Sequence, residues 1–263
     1  MFQIQPKQYN IPVEAVEKLP EIQQLNRFYN AVQGTHSSYQ DAIESIMANP
    51  IHSGDFKQKK IAALKEESSK GFAQQHITFW GEPDSQGQDG LYFKSKFCLE
   101  HKYSKSVESA YSDYHEQAEK ILSPHMVENM IRTAATPTEL ESVYANLPEA
   151  VKTGFQYYAT GRLESLAKEN PRYRVLYNRI LQDTQKALST YDIALYTKAL
   201  EYTSGVGKVM HNNMLQLVRD FPNNPTLQAL FDTVHIDSRI LDVSTNPRIM
   251  HEFSNIKYGG FRG

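Results

Sequence analysis

The sequence predicts a mainly α-helical, multi-helix bundle with one small β-hairpin. Three observations carry this. Apolar residues recur at intervals of three and four along most of the 263 residues. Prolines stand where those periodic runs begin, and proline suits the first helical position because its missing N–H needs no partner there. One segment, about 75–103, changes its period from 3.6 to 2.

The elements follow in order. Residues 1–11 are polar and lack a period. Pro12–Leu19 reads as a short helix. Pro20 opens a second, with Ile22, Leu25, Phe28, Tyr29 and Val32 in register until Gly34. Ser37 or Ser38 can cap a third helix reaching Met47, and Asp55 can cap a fourth that stops at Gly71. The segment Leu91–Tyr103 then alternates. Leu91, Phe93, Phe97, Leu99 and Tyr103 fall on one parity, Lys94, Lys96, Glu100 and Lys102 on the other. Gln75–Trp80 is expected to pair with it through the loop 81–90. The lysines would guard the exposed strand against further pairing.

Helices resume near Ser104, with starts marked by Pro124, Pro137, Pro148, Pro171, Pro225 and Pro247. Thr136-Pro137-Thr138-Glu139 has the form of a capping box. The longest helix is expected over about 171–203, where Tyr173, Ile180, Ala187 and Ala194 repeat every seven residues beside Leu181, Leu188, Leu195 and Tyr202. It would be roughly 50 Å long and serve as the central helix. Gly205 should end it, and Val234–Val243 fits a short strand or a helix equally well.

The length suits a single mainly helical domain (1–263), with a possible subdivision into 12–103 (helices plus hairpin) and 104–263 (helical bundle). The formal net charge of -2 argues against a dedicated nucleic-acid binder. No apolar run approaches the ~18 residues of a spanning helix. The single cysteine forms no internal disulfide, and the first residues lack the pattern of a signal peptide. The cytoplasm or another reducing compartment is the expected location, with secretion lacking a cleaved signal left open.

Two chemical readings converge on the alternating segment. Pro83-Asp84, followed by Glu100-His101-Lys102, resembles the P-D…(D/E)-x-K pattern of metal-dependent nucleases of the restriction-endonuclease type. The resemblance implies Asp84 and Glu100 as ligands of Mg²⁺ and Lys102 as the residue that activates water or steadies a phosphate, with Glu100 and Lys102 sharing a strand face. Hard carboxylate oxygens suit that ion. The second reading is a thiol enzyme in which Cys98 is the nucleophile and Lys96 and Lys102 favour its thiolate. Against both stands a solvated strand face with no chemistry. Without those alternatives no cofactor is expected.

The first expectation for function is therefore a non-enzymatic protein–protein interaction or scaffold protein, effector-like or a component of a larger assembly. Its partner would be another protein, and an oligomer is possible. Tyr39, Tyr157, Tyr158 and Arg162 are the interface candidates, since tyrosine and arginine are enriched at interface centres.

Overall fold

The computed structural model describes residues 9–83 and 89–236. They form helices α1 (Val13–Glu17), α2 (Pro20–Ala48), α3 (Gly54–Trp80), α4 (Leu91–Ile121), α5 (Pro124–Thr133), α6 (Pro137–Asn146), α7 (Glu149–Glu169), α8 (Arg174–Leu188), α9 (Tyr191–Asp220) and α10 (Pro225–Ile236). Among the described residues there is no strand. None of their helices is long and apolar enough to cross a membrane.

The expected hairpin does not form. Gln75–Trp80 is the last part of α3, and Leu91–Tyr103 opens α4. The burial pattern explains the misreading. Tyr92, Lys96, Leu99, Tyr103, Val107, Ala110, Tyr114 and Ala118 are all buried, at intervals of three and four. Phe97, which the alternation placed in the core, is 60% exposed. The pairs Phe93/Phe97 and Leu99/Tyr103 are four apart, a spacing that satisfies periods of 2 and 3.6 alike. Thirteen residues were too few to separate them.

Two further expectations are corrected. Gly34, Gly71 and Gly205 do not stop helices, for α2, α3 and α9 run through them. A side chain at any of the three would meet nothing within 4 Å. Each costs about 1 kcal/mol relative to alanine, which the long helices around them absorb. The single helix over 171–203 is instead a turn of 3₁₀ helix (Pro171–Tyr173), α8 and the first part of α9. Ser189 adopts an extended backbone, with ψ 115°, and the Thr190 Oγ1 accepts from the Ile193 N–H at 3.3 Å. That hydroxyl gives α9 its own cap and makes the break stable. Of Val234–Val243, the first three residues end α10 and the remainder lies outside the described residues.

The chain divides into two compact units: Met1–Ile11 with Tyr103–Leu195, and Pro12–Lys102 with Tyr196–Gly263. The division falls within α4 and α9. In the first unit α7 packs along α8 and against α5. Leu122, Val127, Leu140, Phe155, Leu163 and Ile180 are at the centre of its core. The Thr136 half of the expected capping box is formed, while Glu139 reaches back to the residue before the N-cap and not to Thr136 itself. Glu139 N–H donates to Thr136 Oγ1 at 3.1 Å, and Glu139 Oε2 accepts from the Ala135 N–H at 2.8 Å.

A buried chain of hydrogen bonds ties four helices of this unit together. The Tyr114 hydroxyl donates to Gln156 Oε1 (2.8 Å), Gln156 Nε2 donates to the Tyr144 hydroxyl (2.7 Å), and that hydroxyl donates to Asp183 Oδ2 (2.8 Å). Burial pushes both tyrosines above the ordinary phenol range. Such a chain fixes which faces of α4, α6, α7 and α8 meet, because a slip would strand buried polar atoms.

In the second unit α3 packs on α2 and α10. Phe79, Trp80 and Tyr92 form an aromatic centre, with Trp80 and Tyr92 ring centroids 5.0 Å apart. The passage from α3 to α4 depends on two glycines. Gly81 has φ +103°, a left-handed value. A side chain at Gly90 would overlap the backbone of Phe79–Gly81. Lys102 Nζ pairs with Glu21 Oε1 at 2.7 Å and joins α4 to α2.

Candidate interaction surface

The distal half of the α2–α3 pair, residues 33–71, contains no fully buried residue. Its local logic is regular. On α2, His36, Tyr39, Ile43 and Ile46 form a half-buried stripe at helical spacing, and on α3 Lys57, Ile61, Leu64 and Ser68 form another. Two helices can cover one another's stripes only from one side. An apolar face over 100° wide needs a third or fourth neighbour before it is sealed.

The connection between these helices is well ordered by hydrogen bonds yet apolar. Asn49 Oδ1 accepts from the Ile51 N–H at 2.9 Å, making an Asx turn around Pro50. Ser53 Oγ caps α3 by accepting from Phe56 N–H at 3.3 Å, a role expected of Asp55. Lys57 Nζ donates to the Met47 carbonyl at 2.7 Å. On this frame Ile51 is 89% exposed, Met47 57% and Phe56 42%. The His52 and Phe56 rings lie 4.5 Å apart, and Lys60 Nζ stands 5.2 Å from the Phe56 centroid. Three large apolar side chains thus crowd one connection beside Lys57, Lys59 and Lys60. Sequence reasoning missed them. The available signal was Ile51 directly after Pro50, an apolar residue in a segment otherwise composed as a turn.

Nearer the core of the same unit, the Gln75 amide donates to Thr35 Oγ1 at 2.9 Å, which sets α2 and α3 in register. Beside it, His76 is fully buried, and neither ring nitrogen has a hydrogen-bond partner among the described residues. Burial, reinforced by His36, lowers its pKa to about 3, so the ring is neutral. His36 lies tilted against Phe72 with centroids 4.4 Å apart, and its pKa is also lowered by burial, while Asp220 acts in the opposite direction.

The interface candidates named from sequence are divided between the two units. Tyr39 is half-buried in the second unit, edge-on to Phe72 at 5.4 Å. Tyr157 and Tyr158 belong to the first unit and cluster with Tyr111 and His115 at centroid distances of 4.9–5.9 Å from Tyr157. Arg162 is exposed and pairs with Glu128 at 3.6 Å.

Of the chemical candidates, Asp84 lies outside the described residues. Glu100 and Lys102 do not share a strand face. On α4 residues two apart project about 200° from one another, and Lys102 is engaged with Glu21. Cys98 is exposed, whereas Lys96, which was to share its face, is buried. Among the described residues no group of three or more His, Cys, Asp or Glu side chains is placed to hold a metal ion.

No family model, curated protein or solved structure matches the chain.

Proposed function

We propose that the protein is a non-enzymatic interaction or scaffold protein, and that the distal half of α2–α3 is its binding element. The observation that supports this is the exposed set Met47, Ile51 and Phe56 at the end of a helical pair with no fully buried residue over 33–71. Large apolar groups grouped on a surface lose free energy when a partner removes them from water, at ~25 cal/mol per Å². Met47 and Phe56 sit on helices and Ile51 on the short, hydrogen-bonded connection between them, so little conformational entropy is lost on binding.

The test compares the tagged wild-type chain with an Ile51→Glu/Phe56→Glu variant in affinity capture and quantitative mass spectrometry. Circular dichroism first establishes that both are folded. The expected result is a stoichiometric partner held by the wild type and depleted at least tenfold with the variant. An identical set of captured proteins would refute this assignment.

A further inference from the structure

We infer that one partner of the α2–α3 element is a second copy of the same chain, bound through the outer face of α3 in antiparallel orientation. This rests on the interaction reading above and names its occupant.

Charge order along α3 favours this partner. The segment Lys59-Lys60-Ile61-Ala62-Ala63-Leu64-Lys65-Glu66-Glu67 carries two lysines seven residues before two glutamates. Seven residues are two helical turns, so both pairs occupy one side of α3. All four are exposed, as are Ala62 and Ala63 midway between them. Two α3 helices in parallel register would set lysine on lysine and glutamate on glutamate. A two-fold axis through Ala63 reverses one helix. It sets Lys59 and Lys60 of each copy against Glu66 and Glu67 of the other, twice over.

The centre of that arrangement suits close approach. Ala62 and Ala63 are the smallest side chains a helix can offer apart from glycine, and they let two backbones meet near 8 Å. At each end Phe56 of one copy comes beside the turn that holds Lys70 and Gly71 of the other. Gly71 presents no side chain and nothing stands within 4 Å of where one would be, which leaves room for the Phe56 ring of the other copy. Such a contact is isologous, so it closes at two copies.

The footprint sets the strength. Residues 54–72 of α3 cover roughly 30 Å by 10 Å, or ~600 Å² for both copies. That belongs to the class of weak, reversible contacts. The dimer should therefore assemble at tens of micromolar and weaken as salt screens its charges.

The test is sedimentation velocity on the full chain at about 100 µM and low salt, with three samples beside the wild type. Lys59→Glu/Lys60→Glu alone and Glu66→Lys/Glu67→Lys alone should both be monomers, since each places like charges opposite one another. Their equimolar mixture should regain a dimer, because the reversed pairs are again complementary. Circular dichroism confirms that each variant is folded, and exposed positions make that the expected outcome. A monomeric wild type under these conditions overturns the inference, and so does a mixture that stays monomeric. If the wild type is monomeric but Ile51→Glu/Phe56→Glu still abolishes capture of another protein, only the self-association fails and the interaction reading stands. If neither is seen, both fail.

Discussion

The α5–α8 part of the first unit and the distal half of α2–α3 are made of the same materials and reach opposite ends. Both are amphipathic helices with aliphatic stripes broken by tyrosine. In α5–α8 each stripe is surrounded, so Leu140, Phe155, Leu163 and Ile180 are completely buried, and even the polar atoms of Gln156 find partners. In the α2–α3 pair no side chain between residues 33 and 71 reaches that state. The difference lies in the number of neighbours and not in propensity. A stripe becomes core when helices stand on both sides of it; Tyr39 and Ser69 meet Phe221 and Asn224 at the proximal end, and where α2 and α3 have only each other the stripe remains a surface.

Matched substitutions break or sustain this contrast most directly. Leu163→Ala removes a completely buried side chain and should cost ~2–5 kcal/mol, counting the cavity left behind. Leu64→Ala makes the same chemical change at a half-buried position and should cost ~1 kcal/mol or less. Urea unfolding midpoints of the two variants measure the gap. Equal losses would mean that the distal pair is as well packed as α5–α8, and the proposed binding element would lose its premise.

The same distinction marks what could be read in advance. Helix starts marked by proline were legible because they depend on neighbouring residues, whereas the starts expected at Ser37 or Ser38 and near Ser104 fall inside α2 and α4. Pro20, Pro124, Pro137 and Pro225 open α2, α5, α6 and α10, and Thr136 caps α6 by accepting from the Glu139 N–H. Stops were less legible. A glycine ends a helix only if nothing else holds it, and Gly34, Gly71 and Gly205 lie in helices of 27 to 30 residues. The reverse error arose at Ser189, where seven-residue periodicity continues across a real break. The hairpin failed because Leu99 and Tyr103 satisfy two periods together, and no local feature chooses between them. The exposed set Met47, Ile51 and Phe56 was invisible for another reason. Whether an apolar residue is core or surface depends on which helices pack nearby, and that is tertiary information.

An effect of about 2 kcal/mol should separate the proximal and distal parts of the α2–α3 pair by pH. His76 is buried and neutral with its pKa lowered to about 3, against an ordinary value of 6.5. The unfolded chain therefore binds a proton that the folded chain refuses between those values. Stability from this group is complete above pH 6.5 and is lost as pH falls toward 3. Between pH 7 and pH 5 the loss should be about 2 kcal/mol. The His76→Gln variant removes that contribution while leaving the carboxylates common to both proteins. Subtracting the two urea-derived pH profiles isolates it. Parallel profiles would show that the His76 site admits water or a proton, contrary to its burial.

The smallest expected effect is the most informative about the distal end. Ile51→Ser replaces the most exposed large apolar residue among the described residues, so it should shift stability by no more than ~0.5 kcal/mol in either direction. The hydroxyl cannot reach the core, and the Asx turn that orders this connection uses the backbone N–H of residue 51, which the substitution keeps. Thermal melts at low protein concentration read the effect with self-association suppressed. A loss above ~1.5 kcal/mol would mean that Ile51 is covered by its own chain in solution, and a covered residue cannot be the contact point for a partner. Near-neutrality at low concentration, joined to a loss of capture in the Ile51→Glu/Phe56→Glu comparison, would separate binding from folding at one position. Leu163 can give no such separation, because any substitution there perturbs the fold first.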